Sequence, residues 1–242
     1  MIRAVQAVSP PPDTEQAVRM LAVQQAYACA PVWRAFVSDS GGTAVWYDGQ
    51  LYVCGGDGEE WALFAAMDPT VRCLHGDPAA ARAFAGRTGG TVVTRTVLRP
   101  ERLTVAADVE TVRQASPEAL WQLLRAGFGD DAPEHDGFYV DVSHRMRHGW
   151  MQLRAVRQGE TLLSAAVTVA LCDGAAVIGA VATRPEARGQ GYASACVTQL
   201  AQALAGQQRR VFLCPKNEYA AGLYASLGFA PCGAVALAYR PE

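Results

Sequence analysis

A glycine-rich run at residues 188–193 has the composition and the position of an anion-binding loop. It follows an almost continuously apolar stretch, residues 175–183, which is typical of a strand buried on both faces. Beyond it, residues 191–205 carry apolar side chains at helical spacing. Glycines allow a diphosphate to approach the backbone closely, and the free N–H groups and dipole of a helix N-terminus attract it. Because Arg188 adds a positive charge, we predict a diphosphate site at this strand-to-helix turn.

Two common phosphate-binding motifs are excluded by the same run. It lacks the Gly-Lys-Ser/Thr ending of a P-loop and the three spaced glycines of a dinucleotide-binding fold. A tight turn that needs glycine only for its backbone conformation is the remaining alternative. Residues farther along the chain favour the diphosphate site over that alternative.

A second motif follows the helical stretch and consists of Asn217, Leu223-Tyr224 and Leu227-Gly228-Phe229. Together with Arg188, Gly191 and Ala193, it resembles the sequence pattern of the GNAT superfamily of N-acetyltransferases. That pattern is Gln/Arg-x-x-Gly-x-Gly/Ala, followed by Asn-x(5)-Leu-Tyr-x(2)-Leu-Gly-Phe. The close resemblance covers about residues 175–229, and a weaker one extends back to residue 116.

The resemblance implies a site for coenzyme A. The segment Val181-Ala182-Thr183 would pair through its backbone with the pantetheine arm of the coenzyme. Backbone N–H groups of the glycine-rich run would hold the pyrophosphate, and these belong to Arg188, Gly189, Gln190, Gly191, Tyr192, Ala193 and Ser194. Asn217 would hydrogen-bond the pantetheine or cap the next helix. The hydroxyl of Tyr224 would protonate the departing thiolate as a general acid.

The general base is not identified by the sequence. Some GNAT relatives carry a glutamate on the strand before the pyrophosphate loop, but residues 175–183 contain no carboxylate here. The candidates lie in the region where the family builds its acceptor pocket, and they are Glu134, Asp136, Asp141, His144 and His148. The two histidines would share a helix face, which suggests a metal pair, but a third ligand is missing and no metal site is predicted. Solvated or capping histidines are the alternative.

The resemblance implies acetyl transfer from acetyl-CoA to a primary amine of a small molecule or peptide, by direct attack in a ternary complex. A non-catalytic acyl-CoA-binding or sensor module is the alternative, and a hydroxyl acceptor or a longer acyl chain is a third possibility. Acidic residues at 130, 131, 134 and 136 would favour a cationic acceptor. Arg145 and Arg147 would equally favour an acceptor that carries a carboxylate.

Composition excludes several other classes of function. The net charge is −2 and no Lys/Arg run tracks a phosphate backbone, so a nucleic-acid partner is not expected. The seven cysteines form no Cys-x-x-Cys pair, which predicts free thiols in a reducing compartment. No signal-peptide pattern is visible, and no apolar run reaches the roughly 20 residues of a membrane span. We therefore expect a cytoplasmic protein without a membrane partner, as a monomer or homodimer.

The predicted fold class is α+β (α/β): a mixed, largely antiparallel GNAT sheet flanked by helices, with a smaller N-terminal α+β unit. We place the boundary at about residue 105, giving an N-terminal unit at 1–105 and a GNAT domain at 106–242. The N-terminal unit lacks a pyrophosphate motif, because Asp57, Glu59 and Glu60 would repel a phosphate beside Gly55-Gly56. Its element pattern nevertheless suggests a degenerate GNAT-like half.

Local patterns give the expected elements. In the first part, Asp13 with Gln16 predicts a capping box, Asp48-Gly49 a hairpin, and Asp77-Pro78 a helix start. Strands are predicted at 61–67, 71–74 and 91–98. In the second part we predict a helix from Ser116-Pro117 to about 128, a loop at 129–137 and a short helical piece at 141–148. Strands at 151–157, 162–171 and 175–183, a helix at 191–205, a strand at 210–214, a helix at 219–227 and a strand at 234–239 follow.

Overall fold

The computed structural model describes residues 1–28, 30, 33–104 and 108–241 of the 242-residue chain. Its residues group into two compact units. The first unit comprises Met1–Val97 with Pro231–Glu242, and the second comprises Leu98–Ala230. The boundary that we predict at about residue 105 lies outside the described residues, so the limits 1–105 and 106–242 stay a prediction. The segment from Pro231 onward groups with the first unit.

The first unit contains strands and helices in alternation. Its strands are β1 (Ile2–Val5), β2 (Arg34–Ser38), β3 (Thr43–Tyr47), β4 (Gln50–Cys54), β5 (Cys73–Gly76) and most of β6 (Thr91–Pro100). Its helices are α1 (Glu15–Tyr27), α2 (Gly58–Met67) and α3 (Pro78–Thr88). Strands β1 to β4 pair in sequence order and each pair is antiparallel, whereas β5 runs parallel to β4. A core around Trp61, Leu51 and Phe84 lies between this sheet and α2 and α3.

The second unit also consists of strands and helices. Its helices are α4 (Pro117–Phe128), α5 (His135–Arg147), α6 (Tyr192–Gly206) and α7 (Glu218–Ser226), with short 3₁₀ turns at Gly129–Asp131 and Pro185–Ala187. Its strands are β7 (Leu153–Gln158), β8 (Thr161–Cys172), β9 (Ala175–Thr183), β10 (Arg210–Leu213) and the start of β11 (Phe229–Tyr239). Strands β7, β8 and β9 are antiparallel, and β10 is parallel to β9.

Two stretches of the chain repeat one order of elements. Each has three antiparallel strands, a helix, a strand parallel to the third, a second helix and a final strand. The first copy is β2-β3-β4-α2-β5-α3-β6, and the second is β7-β8-β9-α6-β10-α7-β11. Strand β11 pairs with β5, and β6 pairs with β10 through Leu98 and Leu213. This repetition supports the hypothesis of a degenerate N-terminal half, which stays a proposal.

Three local predictions are wrong, and each concerns the side chain that caps a helix. Residues 61–67 form helix α2 rather than a strand, because Asp57 caps it by accepting a hydrogen bond from the N–H of Glu59. The helix α1 is capped by Thr14 rather than by Asp13. Helix α5 begins at His135, inside the predicted loop, because the Glu134 carboxylate accepts from two N–H groups of its first turn.

A buried ion group joins α1 to β5. The Glu15 carboxylate is almost fully buried, pairs with Arg19 and lies 3.1 Å from Nε2 of His75. Burial alone would raise the pKa of Glu15, but the ion pair and the hydrogen bond outweigh it and lower the pKa to about 2. Burial also lowers the pKa of His75 below its ordinary 6.5. The folded state therefore holds an ionised carboxylate and a neutral imidazole.

This group makes stability depend on acidity. The unfolded chain takes up protons at His75 below pH 6.5 and at Glu15 below pH 4.5, whereas the folded state resists both. We expect the free energy of unfolding, from urea titrations, to fall as the pH is lowered from 6.5 toward 2. A Glu15→Gln variant should be less stable at pH 7 and lose less stability between pH 4.5 and 2. Parallel pH curves for the two proteins would contradict this assignment.

The C-terminal strand is fixed by Arg240. Its guanidinium donates to the carbonyls of Ala65, Ala66, Asp68 and Val71, at 3.0–3.2 Å. The first three carbonyls lie at the end of α2, where helix carbonyls lack intrahelical partners. One cation therefore satisfies several orphan acceptors.

We expect Arg240→Ala to lower the free energy of unfolding by about 2 kcal/mol or more, because charge-assisted hydrogen bonds to buried carbonyls are lost. Arg87→Ala is the matched control, since Arg87 forms an exposed ion pair with Glu59 in the same unit. Its effect should stay below about 1 kcal/mol. Urea unfolding followed by circular dichroism measures both, and equal losses would rule out a special role for Arg240.

Candidate functional site

Strand β9 has an open edge over its second half. It pairs with β10 only from Ala175 to Ile178, opposite Arg210 to Leu213. From Gly179 to Thr183 its pairing, within the described residues, is with β8 alone. Burial changes at the same point, since residues 175–178 are buried and residues 179–181 are half-buried. Backbone N–H and C=O groups on an open edge can pair with an extended ligand as an added strand.

The open edge begins at an irregularity in the ladder. The β8–β9 register shifts twice, between Ala165 and Val167 and between Thr168 and Ala170. Ala180 has φ of +45°, which an alanine rarely adopts. Strain of this kind persists only where the surroundings impose it, and it is concentrated at functional sites. The bulge coincides with the point where the pairing of β9 with β10 ends.

The far end of this edge is held by side chains that the sequence analysis did not identify. Ser164 Oγ donates to the carbonyl of Ala182 at 3.1 Å and lies 2.8 Å from Oγ1 of Thr183. Gly127 of α4 packs so closely that a Cβ there would lie 3.2 Å from the Cβ of Ala182. Predicted pantetheine-binding residues Ala182 and Thr183 are therefore fixed from both sides.

The glycine-rich run forms the turn into α6. Gly189 and Gly191 have φ of +77° and +76°, the left-handed region that favours glycine. A Cβ at either position would meet no atom within 4 Å, so the space beside the backbone is open. Gln190 lies between them and is exposed. The conformation predicted to require glycine is present at both positions.

Helix α6 differs from the other helices at its N-terminus. Its N-cap is Gly191, which has no side chain to accept from the first-turn N–H groups. In the described part of the chain the six other α-helices are all capped by side chains, namely Thr14, Asp57, Asp77, Ser116, Glu134 and Asn217. The first-turn donors of α6, which begins Tyr192-Ala193-Ser194, are thus left for solvent or for an anion.

Arg188 adds positive charge to this turn. Its guanidinium donates to the carbonyl of Gly127 at 3.0 Å, and the residue is exposed. A neutral carbonyl leaves the charge of the guanidinium uncompensated, and its other donors stay available. Arg188 therefore links the turn to the end of α4 while remaining a cation beside the uncapped helix.

Tyr224 lies in the apolar core between α6 and the sheet. It is 6% exposed, and it belongs to the same cluster as Val181 and Tyr192. Among the described residues none hydrogen-bonds to its hydroxyl. Burial raises the pKa of this phenol to about 12, so it stays protonated at neutral pH. A protonated hydroxyl without a protein acceptor is suited to donate a hydrogen bond to a ligand.

Asn217 performs one of its two predicted roles. Its Oδ1 accepts a hydrogen bond from the N–H of Ala220 at 2.9 Å and caps α7. Its side-chain amide NH₂ can still donate to a ligand, and the hydrogen bond to pantetheine stays a prediction.

The candidates for a general base have other contacts in the structure. Glu134 caps α5, and Asp136 lies 2.8 Å from the ring of His135 on an exposed surface. Asp141 accepts from Arg145 at 2.6 Å. His144 and His148 lie ring against ring, with centroids 4.5 Å apart. Across the described residues, no group of three or more His, Cys, Asp or Glu could hold a metal ion, and no helix is long and apolar enough to cross a membrane.

The corresponding turn of the first unit is built differently. Helix α2 follows β4 as α6 follows β9, but its N-cap is Asp57, and Glu59 and Glu60 occupy its first turn. A Cβ at Gly58 would lie 3.1 Å from the backbone N of Ala80, so this space is filled. A carboxylate already occupies the donors that α6 leaves free, and like charge would repel a phosphate.

Comparisons with known proteins bear on the fold. Residues 156–234 match the family model described as FR47-like protein. An acetyltransferase of the GNAT family from Colwellia psychrerythraea is 16% identical with a TM-score of 0.62, and the match covers 100% of both chains. A GCN5-related N-acetyltransferase from Kribbella flavida is 18% identical with a TM-score of 0.59, over 85% of this chain and 89% of that one.

A tandem GNAT protein from the clavulanic acid biosynthesis pathway is also similar. It is 13% identical with a TM-score of 0.55, over 93% of this chain and 88% of that one. No curated protein matches the chain significantly. The predicted α+β class with a mixed, mostly antiparallel sheet flanked by helices is confirmed. The chain thus has the GNAT acetyltransferase fold, and the FR47-like match at residues 156–234 confirms the resemblance that was predicted for the C-terminal part of the sequence.

Proposed function

We propose that this protein is an acetyl-CoA-dependent N-acetyltransferase that acetylates a primary amine of a small molecule or peptide. The observation that carries the proposal is the continuity of two binding features. The open edge of β9 from Gly179 to Thr183 is followed, after the short 3₁₀ turn at Pro185–Ala187 and the glycine-rich run, by the uncapped N-terminus of α6. An extended arm ending in a diphosphate matches that sequence of features, and coenzyme A has this chemistry.

In this proposal the backbone provides most of the donor site. The pantetheine arm pairs with the edge Val181-Ala182-Thr183, and the diphosphate accepts from the N–H groups of residues 188–194. The thioester then lies toward the bulge at Gly179 and Ala180, where the edge begins. Close packing of Gly127 and Ser164 against the end of β9 keeps the edge rigid.

The reaction is nucleophilic acyl transfer. The neutral amine attacks the thioester carbonyl, a C–N bond forms, the C–S bond breaks, and the amine proton ends on the thiolate or on solvent. An alkylammonium acceptor, with a pKa of roughly 10.4, must lose a proton before attack. The pKa of Tyr224, about 12, is above that of an ordinary thiol, about 8.5. Its main contribution is therefore a hydrogen bond to the developing thiolate.

The alternative is an acyl-CoA-binding module without turnover. It is favoured by one observation, namely that β9 carries no carboxylate and that Glu134, Asp136 and Asp141 have other partners. A free-thiol release assay with acetyl-CoA against a panel of amines, amino acids and peptides separates the two functions. Tight acetyl-CoA binding with no turnover across the panel would favour the binding module.

We expect Gly191→Glu to abolish coenzyme binding. The substitution puts a negative charge at the proposed diphosphate site and a side chain at a left-handed φ. Isothermal titration with coenzyme A measures the effect. Gly206→Glu is the matched control, because Gly206 ends the same helix in open space and the charge change is identical. Unchanged affinity in Gly191→Glu, or equal losses in the two variants, would refute the site.

We expect Tyr224→Phe to lower kcat by about 10²-fold, a typical effect of removing one hydrogen-bond donor to a developing negative charge. Because the phenol stays protonated below its pKa of about 12, the ratio of parent to variant kcat should be constant from pH 6 to pH 10. Coenzyme affinity should change little. A ratio that falls toward one within that range would mean that Tyr224 titrates during catalysis, which contradicts its buried state.

A further inference from the structure

Lys216 is the only lysine in the sequence. It lies three residues after Leu213, whose pairing with Ile178 is the last before the open edge of β9 begins. It follows β10, directly before the helix cap Asn217. Its Nζ donates to Oδ2 of Asp131 at 2.7 Å, and the two side chains are 58% and 71% exposed. The hydrogen bond and charge of Lys216 lower the pKa of Asp131.

Asp131 ends a short segment, residues 127–131, that also holds Arg188. The carbonyl of Gly127 accepts from the Arg188 guanidinium, and Gly127 packs on the end of β9. The backbone from residue 127 to residue 131 spans at most about 14 Å. One segment, which we call the α4–α5 strap, therefore contacts the diphosphate turn through Arg188 and the β10–α7 loop through Lys216.

The Lys216–Asp131 contact is weak enough to exchange. Exposed ion pairs of this kind change an equilibrium constant by only about 1.4- to 5-fold. A phosphate group offers more charge and more acceptor oxygens than one carboxylate, and its charge-assisted hydrogen bonds are stronger. The four-carbon stem of a lysine is flexible, so its ammonium can exchange one acceptor for another within reach of the side chain.

We propose that Lys216 is a ligand of a coenzyme phosphate and that Asp131 holds it on the strap until the coenzyme binds. This inference rests on the proposed function. Coenzyme binding moves the ammonium from Asp131 to the phosphate, which releases the contact between the strap and the β10–α7 loop. Asp131 is then a carboxylate without its lysine partner. The strap and the start of α5 therefore present more negative charge to an acceptor. A cationic acceptor binds better after the coenzyme than before it.

The first test compares coenzyme A affinity in four variants by isothermal titration. Asp131→Asn removes the competitor for Lys216, so we expect about 2- to 5-fold tighter binding. Lys216→Ala should bind about 3- to 10-fold more weakly, and the double variant should match Lys216→Ala because the competitor then has no lysine to hold. Asp130→Asn is the matched control, since Asp130 is fully exposed and pairs with Arg125 instead.

The controls separate this proposal from general electrostatics. If Asp130→Asn tightens binding as much as Asp131→Asn, the effect is loss of negative charge and the exchange is overturned. If Asp131→Asn binds like the parent, the proposal fails while the proposed function stands. If the parent binds no coenzyme A, both fail. Repeating the titrations with 3′-dephospho-coenzyme A identifies the phosphate, because the Lys216→Ala loss disappears if the 3′-phosphate is the ligand and persists if the diphosphate is.

A second readout follows Lys216 directly. Reductive methylation with ¹³C-formaldehyde keeps the charge and labels the lysine and the N-terminal amine, and the Lys216→Arg variant assigns the two NMR signals. We expect the Lys216 signal to shift when coenzyme A is added to the parent protein and to stay unchanged with Gly191→Glu. A signal that does not move in the parent while titration shows binding would overturn the proposal.

Discussion

The site depends on one constraint, which is that the first-turn N–H groups of a helix must have acceptors. Helix α6 leaves these donors without a side-chain cap, and the two left-handed glycines keep the space in front of them open. The bulge at Gly179 and Ala180 frees the edge of the strand that leads to this point. In the proposed function, backbone geometry therefore sets where an anion with an extended arm binds, and charged side chains add to it.

The turns before α2 and before α6 occupy the same place in the repeated order of elements, and they differ at the N-cap. After β4 and after β9 the chain makes a glycine-containing turn into a helix, yet Asp57 supplies its own carboxylate to α2, whereas Gly191 supplies nothing to α6. One residue at the N-cap therefore decides whether the helix is closed by the protein or open to a ligand. The same scaffold can carry a site in one copy and a structural role in the other.

Features set by local chemistry could be predicted from the sequence. The glycine turn at 188–191, the caps at Ser116 and Asp77 and the apolar strand β9 each depend on a few neighbouring residues. Features set by pairing between distant residues could not be predicted from the sequence. The bulge at Ala180 arises from register with β8, and no residue type marks it, while Ser164 acts through a strand partner. The strand predicted at 61–67 is helix α2, because Asp57 is the helix N-cap as well as a charge that would repel a phosphate.

The pairing of β11 with β5 has a consequence for the order of folding. Gly76 and Ala236 are partners across 160 residues of chain, and Arg240 closes the end of α2 from the same segment. Such a contact forms only after the intervening chain exists, and its loop-closure entropy makes it slow. During synthesis, β5 emerges long before its partner on β11. Until β11 is made, that side of β5 is an unpaired strand edge, which chaperones or premature association would meet.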